Sequence, residues 1–442
     1  MSRYIVQGGQ KLKGEILIRG AKNASYKEMI ASLLSEETSQ LSNIPNISDI
    51  KITQSIAQQL GSQFEECGQH CLKITTPKIT NNVVPQGVGI KSRSSFMFSA
   101  PLLARTGKAI VPIPGGDKLG SRPLDRLFDC FRKMNIKITE NGKNITFETD
   151  QIKATDHTFI KPSHTVTETI IMTAVLAKGT TILRNSAQEP EIDDLIIMLN
   201  SMGAKVDRHQ DDPSTITIQG VEKLSGTKHQ VIPDRNEVVT FACAALATKG
   251  SVNILRCNPK HVNTFLQTIS KMGAKVEVGD DEVNITWNQP LRAVNIETGP
   301  EPMFMTDWQA LLSILLTQSI GCSTVIERVY PNRFQHIPNL QKMGAKITLF
   351  NPKVDNPEEY YQFNQDSNDP KYFHAAKICG PTKLKAAEFE IDDLRAGALT
   401  TLAALTAEGT STIKKVEFIE RGYEKLAERL SALGANIEYI KT

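Results

Sequence analysis

Residues 201–204 read Ser201-Met202-Gly203-Ala204, and related tetrapeptides recur five more times along the 442-residue chain. Their third position, a Gly or an Asn, falls at residues 61, 135, 203, 273, 344 and 434, so four steps measure 68 to 74 residues and the last measures 90. A second pattern, of the kind seen at Gly179-Thr180, precedes each tetrapeptide by 23 to 28 residues. Regular internal spacing is the signature of repeated structural units. The chain is therefore predicted to contain six copies of one module.

The third copy shows what a module contains. Its predicted elements are, in order, a helix over 167–177, a strand over 180–184, a helix over 193–202 and strands over 205–207 and 215–218. Gly179 and Gly203 are residues that commonly end helices, and Asp193 and Asp194 suit the positively polarised start of the second helix. With the strand that enters it, the module reads strand-helix-strand-helix-strand-strand, which predicts an α/β protein.

The length of the chain favours two domains, because 442 residues exceed what one hydrophobic core usually supports. We expect three modules in each: one domain over 22–231, which carries a glycine-rich loop, and one over 1–21 plus 232–442. The fifth copy contains an insertion near 351–373 that is rich in Asn, Asp, Pro and Tyr. This insertion is interpreted as a surface hairpin loop, with a loop that binds a partner as the alternative.

Composition excludes several classes of protein. A formal charge of +3 does not indicate a nucleic-acid-binding surface, and no apolar run approaches the length of a membrane span. The seven cysteines and the absence of a secretory pattern favour a reducing, cytoplasmic location. Cys67 and Cys71 lack a second pair to complete a zinc site, so they are interpreted as separate half-buried thiols. No metal and no cofactor are expected. The sequence does not reveal the oligomeric state.

Charged residues cluster where the chain enters the predicted helices. They include Lys22, Arg93, Lys161, Arg235, Asp307 and Arg395 before the first helix of each copy, and Asp49, Asp125, Glu191, Lys260, Arg333 and Arg421 before the second. Helix starts attract anions, and Lys or Arg strengthens that attraction through charge-assisted hydrogen bonds. If both domains direct these positions at one cleft, the cleft should bind a ligand with several negative groups. The alternative is that each charge is a solvated helix cap.

The loop over 112–125 is unusual because it contains three glycines and three prolines. Glycine allows a close approach of backbone to ligand, and Arg122 could hold a phosphate. The loop is also a candidate lid.

Together these motifs resemble one enzyme family. They are Gly20-Ala21-Lys22-Asn23-Ala24, the loop 114–125, Glu189-Pro190-Glu191-Ile192, Pro233-Asp234-Arg235, Thr306-Asp307, Asn332-Arg333-Phe334, Asp393-Leu394-Arg395 and Arg421-Gly422-Tyr423-Glu424. In this order they resemble the UDP-N-acetylglucosamine 1-carboxyvinyltransferases, which are enolpyruvyl transferases of peptidoglycan synthesis. The resemblance spans the whole chain apart from the insertion. It implies a two-domain inside-out α/β prism, three modules per domain, with the active site between the domains.

The resemblance also implies the chemistry and the residues that perform it. The sugar 3-hydroxyl would attack C2 of phosphoenolpyruvate while C3 is protonated, and the adduct would then lose phosphate. Lys22, Arg122 and Arg421, with Asn23 beside them, would bind phosphoenolpyruvate, and Asp307 would accept the hydroxyl proton. The implied nucleotide-sugar contacts are Arg93, Arg122, Pro123, Leu124, Asp125, Arg126, Lys161, Pro162, Ser163, His164 and Val329. Arg333, Asp393 and Arg395 would shape the cleft, and Asp49 and Glu191 also match the family.

One residue departs from the usual family pattern. Asp117 stands where most members carry cysteine, although a minority of the family has aspartate there. A carboxyl group can protonate carbon if its surroundings keep it partly protonated, but it is not alkylated as a thiolate would be. The sequence therefore predicts Asp117 as the general acid and insensitivity to the epoxide fosfomycin. The alternative is an exposed carboxylate paired with Lys118.

Three other functions remain open. They are a 3-phosphoshikimate 1-carboxyvinyltransferase, an enolpyruvyl transferase of secondary metabolism that uses another nucleotide sugar, and a non-catalytic paralogue that binds nucleotide sugar. The first is disfavoured by Lys22-Asn23-Ala24-Ser25, because that family carries a Lys-Ser pair in this loop. The last is disfavoured because Lys22, Asp307, Arg395 and Arg421 are all present.

Overall fold

The computed structural model of the chain describes residues 2–90, 92–113 and 124–441. These residues form two compact units: residues 2–19 with 233–441, and residues 20–113 with 124–232. Within the described residues, no helix combines the length and apolarity that crossing a membrane requires.

Helices and strands alternate along the chain as an α/β protein requires. The α-helices span Lys22–Ala31, Ser48–Leu60, Gln86–Gly89, Ser99–Thr106, Asp125–Lys133, His164–Ala174, Pro190–Ser201, Arg235–Ala247, Asn263–Met272, Thr306–Gln318, Ile337–Lys342, Pro357–Tyr360, Leu394–Thr406 and Leu426–Ala432. Short 3₁₀ helices span Ser32–Leu34, Arg93–Phe98, Pro259–Val262, Gln365–Ser367 and Val416–Arg421.

The strands of the described residues form six sheets, three in each unit. In the order of hydrogen-bonded neighbours, the unit around residues 20–232 contains Lys228–Gln230, Ser39–Ser42, Cys71–Thr75 and Gln63–Glu66; Lys108–Pro112, Asn144–Glu148 and Lys137–Asn141; and Asp156–Thr158, Thr180–Arg184, Ile216–Gln219 and Lys205–Arg208. The other unit contains Lys13–Leu17, Ser251–Leu255, Glu282–Thr286 and Lys275–Val278; Ile296–Glu297, Gly321–Ile326, Ala375–Gly380 and Lys346–Phe350; and Glu388–Glu390, Thr410–Lys414, Arg3–Gln7 and Asn436–Ile440.

All six sheets share one topology. In five of them the first strand is parallel to the second, and every later pair is antiparallel. In the three-stranded sheet the place of the first strand is taken by a single parallel bridge between Val83 and Ile110. The prediction of six copies of one module is confirmed.

The N-terminal residues belong with the second half of the chain because of how the sheets close. Arg3–Gln7 lies between the two strands of the sixth module, in the position that a later strand of the same module fills elsewhere. Lys13–Leu17 is the parallel first strand of the fourth module. Conversely, Lys228–Gln230 supplies the parallel strand of the first module. Among the described residues, the chain passes between the units near residues 19–20 and 232–233.

The recurring Gly or Asn has a conformational cause. Gly61, Gly203, Gly273, Gly344 and Gly434 all have φ between 97° and 115°, and Asn135 has φ of 66°. Side chains other than Asn and Asp rarely adopt this left-handed region, so each second helix can turn into its next strand only at such a residue.

Two helix boundaries in the third module differ from the prediction. The first helix spans 164–174, three residues earlier at each end than predicted, so it stops well before Gly179. The second helix begins at Pro190, which suits a first helical position. Asp193 lies in its first turn, but Asp194 is buried and accepts a hydrogen bond from the Ile232 N–H, so it is a tertiary contact as well.

Each unit has its own hydrophobic core built around buried helices. In one unit the helices 235–247, 306–318 and 394–406 contact each other, and their residues are buried nearly all round. In the other, the helices 22–31 and 164–174 and the stretch 93–106 are similarly enclosed. The sheets pack against these helices and complete the two cores.

The interpretation of Cys67 and Cys71 as separate thiols is wrong. They form a disulfide across the turn that joins strands 63–66 and 71–75, where the Cys67 N–H donates to the Cys71 carbonyl. Cys322 and Cys379 form a second disulfide, because they are direct partners on adjacent antiparallel strands. Disulfides are typical of oxidising surroundings, so the cysteines do not support a reducing compartment.

The insertion in the fifth module joins two neighbouring strands, 346–350 and 375–380, as a long hairpin connection. It folds back onto its own unit: Tyr361 and Phe363 are buried, and their rings stack with centroids 4.9 Å apart. Arg328 lies 4.3 Å over the Tyr360 ring and donates to the Tyr360 carbonyl. The packed aromatic residues stabilise the connection.

Candidate active site

Most of the charged residues selected from the sequence lie in the first turns of helices. Lys22, Asp125, His164 and Arg235 are the first residues of their helices, whereas Asn23, Asp49, Arg126, Glu191, Asp307 and Arg395 are the second. Arg93 opens a 3₁₀ helix and Arg421 ends one. The positions at helix starts place their side chains near unpaired backbone N–H groups and the positive end of the helix dipole.

Asp307 is held between two arginines. Its Oδ1 accepts a hydrogen bond from Arg333 Nη2 at 2.5 Å, and its Oδ2 accepts one from Arg395 Nη2 at 2.8 Å. The carboxylate is 19% exposed, whereas the two arginine side chains are 4% and 12% exposed. Charge-assisted bonds to both oxygens fix the orientation of this carboxylate and leave part of it accessible.

The two arginines are themselves positioned by neighbours. Burial acts to lower the pKa of each guanidinium, but the Asp307 carboxylate together with other nearby acidic groups raises the net pKa of both Arg333 and Arg395. Arg395 Nη1 also donates to the Tyr423 hydroxyl at 3.4 Å. Arg395 lies in helix 394–406. Asp393, the residue before this helix, is buried and accepts a hydrogen bond from the Ala396 N–H at 2.8 Å. Both guanidinium groups therefore stay protonated at all ordinary pH values.

Glu327 organises the loop that leads to Arg333. It is fully buried, and its Oε1 accepts the N–H groups of Val329 and Tyr330 at 2.8 and 3.0 Å. Its Oε2 accepts the Thr306 hydroxyl at 2.9 Å, next to Asp307. Burial raises the pKa of Glu327 above its ordinary value. Sequence reasoning missed this residue, although an acid directly after a strand and before Val329 was a usable signal.

In the unit around residues 20–232, Lys22 is paired with Asp49. The Lys22 ammonium lies 2.6 Å from Asp49 Oδ2, and the two side chains are 14% and 6% exposed. Asn23 follows Lys22 in the same helical turn, and Glu191 is buried in the first turn of helix 190–201. Asp49 thus holds the Lys22 ammonium at the start of helix 22–31, where the ammonium remains partly accessible to solvent.

Apart from Val329, which belongs to the other unit, the described residues expected at the nucleotide-sugar site lie in three segments of this unit. Arg126 Nη1 donates to the Pro162 carbonyl at 3.3 Å, which links the segment Leu124–Arg126 to the segment Lys161–His164. The Arg93 guanidinium lies 5.8 Å from the centre of the Phe96 ring. Leu124 is buried, whereas Lys161, Pro162, Ser163 and His164 are partly exposed. Asp117, Arg122 and Pro123 lie outside the described residues.

Two buried ionic clusters were not predicted. In one, the Lys27 ammonium forms an ion pair with Glu168 and lies 2.8 Å from His164 Nε2, and Lys27 and Glu168 are no more than 1% exposed. Burial and the Lys27 ammonium act to lower the pKa of His164, but the Glu168 and Glu189 carboxylates together raise the net pKa above its ordinary value. His164, a residue of the expected nucleotide-sugar segment, is thus fixed by two charges that sequence reasoning overlooked.

The other cluster joins Glu28, Asp194 and His229. One nitrogen or oxygen atom of each side chain could bind a metal ion, and these three atoms lie within 4.8 Å of one another. Among residues 2–90, 92–113 and 124–441, this is the group of three or more His, Cys, Asp or Glu side chains that are close enough to share an ion. His229 Nε2 lies 3.0 Å from Asp194 Oδ1 and 3.5 Å from Glu28 Oε1.

Comparison with known proteins agrees with this architecture. A sequence model of the family described as EPSP synthase (3-phosphoshikimate 1-carboxyvinyltransferase) matches residues 6–430. UDP-N-acetylglucosamine 1-carboxyvinyltransferase of Bartonella henselae is 36% identical, with all of both chains covered. The protein of the same name from Bdellovibrio bacteriovorus is 36% identical over 99% of this chain and 100% of the relative. The chain belongs to the enolpyruvyl transferase family.

Solved structures share the fold of this enolpyruvyl transferase. The enolpyruvyl transferase NikO from Streptomyces tendae superposes with a TM-score of 0.85 at 21% identity, over 100% of this chain and 99% of that one. EPSP synthase from Acinetobacter baumannii superposes with a TM-score of 0.72 at 18% identity over the full length of both chains. The predictions of the family, of the two-domain α/β fold and of a transferase are confirmed.

The buried Glu28 cluster should make the stability of this enolpyruvyl transferase depend on pH. Burial and the nearby Asp194 carboxylate raise the pKa of Glu28 from 4.5 to about 8. For His229, burial acts in the opposite direction, but hydrogen bonds to Asp194 and Glu28 raise its pKa from 6.5 to about 10. Both folded pKa values exceed the unfolded ones, so the stabilisation is complete at low pH and is lost as pH rises through the folded values.

We therefore expect the free energy of unfolding to fall between about pH 5 and pH 10, by at most about 1.4 kcal/mol per pH unit for each proton involved. Glu28→Gln should remove the decline below about pH 6.5, where Glu28 alone contributes, and should reduce its slope between about pH 6.5 and 8, where His229 also contributes. Urea unfolding followed by circular dichroism, in metal-free buffers across this range, measures the slope. An unchanged slope in the variant would show that Glu28 is not the titrating group.

Proposed function

We propose that this enolpyruvyl transferase moves the enolpyruvyl group of phosphoenolpyruvate to the 3-hydroxyl of UDP-N-acetylglucosamine and releases phosphate. This is the first committed step of peptidoglycan synthesis, and so serves cell-wall formation, cell shape and division. The observation that carries the proposal is the Asp307 carboxylate, oriented by Arg333 and Arg395, in a chain 36% identical over its full length to proteins named for this reaction.

In the proposed reaction, the 3-hydroxyl oxygen forms a bond to C2 of phosphoenolpyruvate while its proton passes to Asp307. The electrons of the C2–C3 double bond take a proton at C3, which gives a tetrahedral adduct. That adduct loses a proton from C3, re-forms the double bond and expels inorganic phosphate. A positioned carboxylate is a competent general base for such a step, typically accelerating it by about 10²–10⁴-fold.

The roles of the binding residues follow from the charge of the substrates. Lys22 and Arg421, with Asn23 and Arg122, are proposed to bind the phosphate and carboxylate of phosphoenolpyruvate. The partial exposure of the Lys22 ammonium beside Asp49 supports this role, because a ligand phosphate can reach it.

The nucleotide-sugar contacts are proposed to be Arg93, Leu124, Asp125, Arg126, Lys161, Pro162, Ser163, His164 and Val329, with Arg122 and Pro123. Arg333, Asp393 and Arg395 shape the part of the site that holds Asp307. The hydrogen bond between Arg126 and Pro162 supports a shared role for their two segments. The proposal also places the enzyme in the cytoplasm, and the two disulfides weigh against that location.

A different acceptor is the second candidate. The matching family model is described by its action on 3-phosphoshikimate, and NikO, which superposes with a TM-score of 0.85, is described only as an enolpyruvyl transferase. Phosphate release should therefore be measured with phosphoenolpyruvate and, in separate reactions, UDP-N-acetylglucosamine, shikimate 3-phosphate, another UDP-sugar or no acceptor. Release that requires UDP-N-acetylglucosamine supports the proposal. Release only with shikimate 3-phosphate contradicts it, and release with none indicates a binding protein.

We also propose that Asp117 is the general acid that protonates C3. Fosfomycin inactivates by alkylating a thiolate, and a carboxyl group in its place is a much weaker nucleophile. The enzyme should therefore keep its activity after incubation with fosfomycin, whereas Asp117→Cys should be active and inactivated irreversibly. Asp117→Asn should lose about 10²–10⁴-fold in kcat. Rapid inactivation of the natural protein, with the adduct mapped by mass spectrometry to Asp117, would refute this role.

A further inference from the structure

The cluster of Glu28, Asp194 and His229 contains ligand-type side chains that the proposed reaction does not use. The three residues come from three different elements of one unit: helix 22–31, helix 190–201 and strand 228–230. Their side chains are 0%, 3% and 8% exposed, so the cluster is closed to bulk water.

Glu28 is the residue that the surrounding protein leaves unsatisfied. Both of its carboxyl oxygens are buried and make no hydrogen bond of good geometry, and the ion pair of Glu28 is a long contact of 3.5 Å from Oε1 to His229 Nε2. Asp194, in contrast, accepts the Ile232 N–H at 2.9 Å through Oδ2, which leaves its Oδ1 directed at His229. A buried carboxyl group whose ion pair is this long is costly, and a bound cation is one partner that would satisfy it.

The spacing of the three groups fits a small divalent cation. Donors about 2.0–2.2 Å from a tetrahedral zinc ion lie roughly 3.3–3.6 Å from one another. The distance from His229 Nε2 to Glu28 Oε1, 3.5 Å, falls within this range, and all three donors lie within 4.8 Å of one another. The distance from His229 Nε2 to Asp194 Oδ1 is 3.0 Å, a hydrogen-bond length that would have to lengthen slightly to admit the ion. One imidazole and two carboxylates form a ligand set that zinc accepts, with a fourth position for water or the second Glu28 oxygen.

We propose that Glu28, Asp194 and His229 form a structural zinc site that fixes helix 22–31 against helix 190–201 and strand 228–230. The site lies on the helix that begins with Lys22 and Asn23, so the ion would hold the start of this helix in place. Zinc requires deprotonated ligands, and the raised pKa values of Glu28 and His229 mean that binding releases protons and strengthens as pH rises. This inference does not depend on the identity of the acceptor sugar.

The test is a zinc titration of the metal-stripped full-length protein against a chromophoric chelator, under non-reducing conditions that keep the disulfides closed. We expect one zinc ion per chain, and a Kd at least about 10-fold weaker in Glu28→Gln and in His229→Asn. His209→Asn is the matched control, because His209 bonds Thr217 outside the cluster. Equal zinc binding by the natural protein and both cluster variants, or none by the natural protein, would overturn the proposal.

A second measurement uses only the natural protein, so its result does not depend on whether the variants fold. Cobalt(II) added to the stripped natural protein should give the intense visible absorption of a tetrahedral site, and zinc should displace it at one equivalent. If the spectrum shows nothing but the weak absorption of solvated octahedral cobalt, the cluster shares protons and holds no metal. That result would contradict the proposal.

Discussion

Replacement of Asp307 by Asn should lower kcat for enolpyruvyl transfer by about 10²–10⁴-fold, because the amide cannot accept the hydroxyl proton. Its hydrogen bonds would also change: Arg333 and Arg395 both donate to the carboxylate, and an amide nitrogen cannot accept from either of them. The KM for UDP-N-acetylglucosamine should change less than kcat, because the base acts mainly in the transition state. Steady-state phosphate release measures both constants.

The control for this prediction is Asp355→Asn, which alters an exposed carboxylate of the insertion in the same unit. It should leave both constants unchanged. Circular dichroism and thermal unfolding establish that Asp307→Asn is folded. A folded Asp307→Asn enzyme with the kcat of the natural protein would exclude Asp307 as the base.

Replacement of Arg429 by Leu should destabilise its unit by about 3–5 kcal/mol, because it leaves the buried Glu237 without its counter-ion. Arg429 donates to Glu237 through two nitrogens, at 2.5 and 2.9 Å, and to the Leu17 carbonyl at 2.7 Å. The pair therefore connects helix 426–432 and helix 235–247 with the strand 13–17. Its guanidinium also lies 4.6 Å over the Phe241 ring.

Urea unfolding monitored by tryptophan fluorescence is suited to this measurement, since both tryptophans, Trp287 and Trp308, belong to the unit that contains Arg429. Lys275→Met, which removes the exposed partner of Glu277, should have little effect on stability. The double variant Arg429→Leu/Glu237→Leu should recover part of the loss, because no buried charge is left unpaired. A loss below about 1 kcal/mol in Arg429→Leu would contradict the assigned role of this pair.

Much of the fold could be predicted because its repeat is imposed by backbone conformation. Gly203 and its equivalents adopt left-handed φ values, which restricts the residue type in every copy and makes the period visible. Helix boundaries were less predictable. The first helix of the third module begins at His164 after an extended Ser163 that makes no side-chain cap, so no local signal distinguished residue 164 from residue 167.

Charged residues at helix starts could be selected from the sequence because the physics is local, and Asp307, Arg333 and Arg395 are indeed in contact. The buried clusters depend on partners distant in the chain and could not be found in the same way. Lys27 contacts His164, which is 137 residues away in the chain. Glu28 contacts Asp194 and His229 from helix 22–31, in which the sequence pattern identified only the residues at the start. The disulfide between Cys322 and Cys379 likewise depends on strand register.

The most direct test of the account is the reaction carried out in deuterium oxide and followed by NMR and mass spectrometry. With phosphoenolpyruvate and UDP-N-acetylglucosamine, we predict an enolpyruvyl ether at the sugar 3-hydroxyl, one phosphate released per ether, and deuterium at the terminal vinyl carbon from protonation of C3. Phosphate release without the ether, or an ether that forms with no deuterium at that carbon, would contradict the proposed addition and elimination.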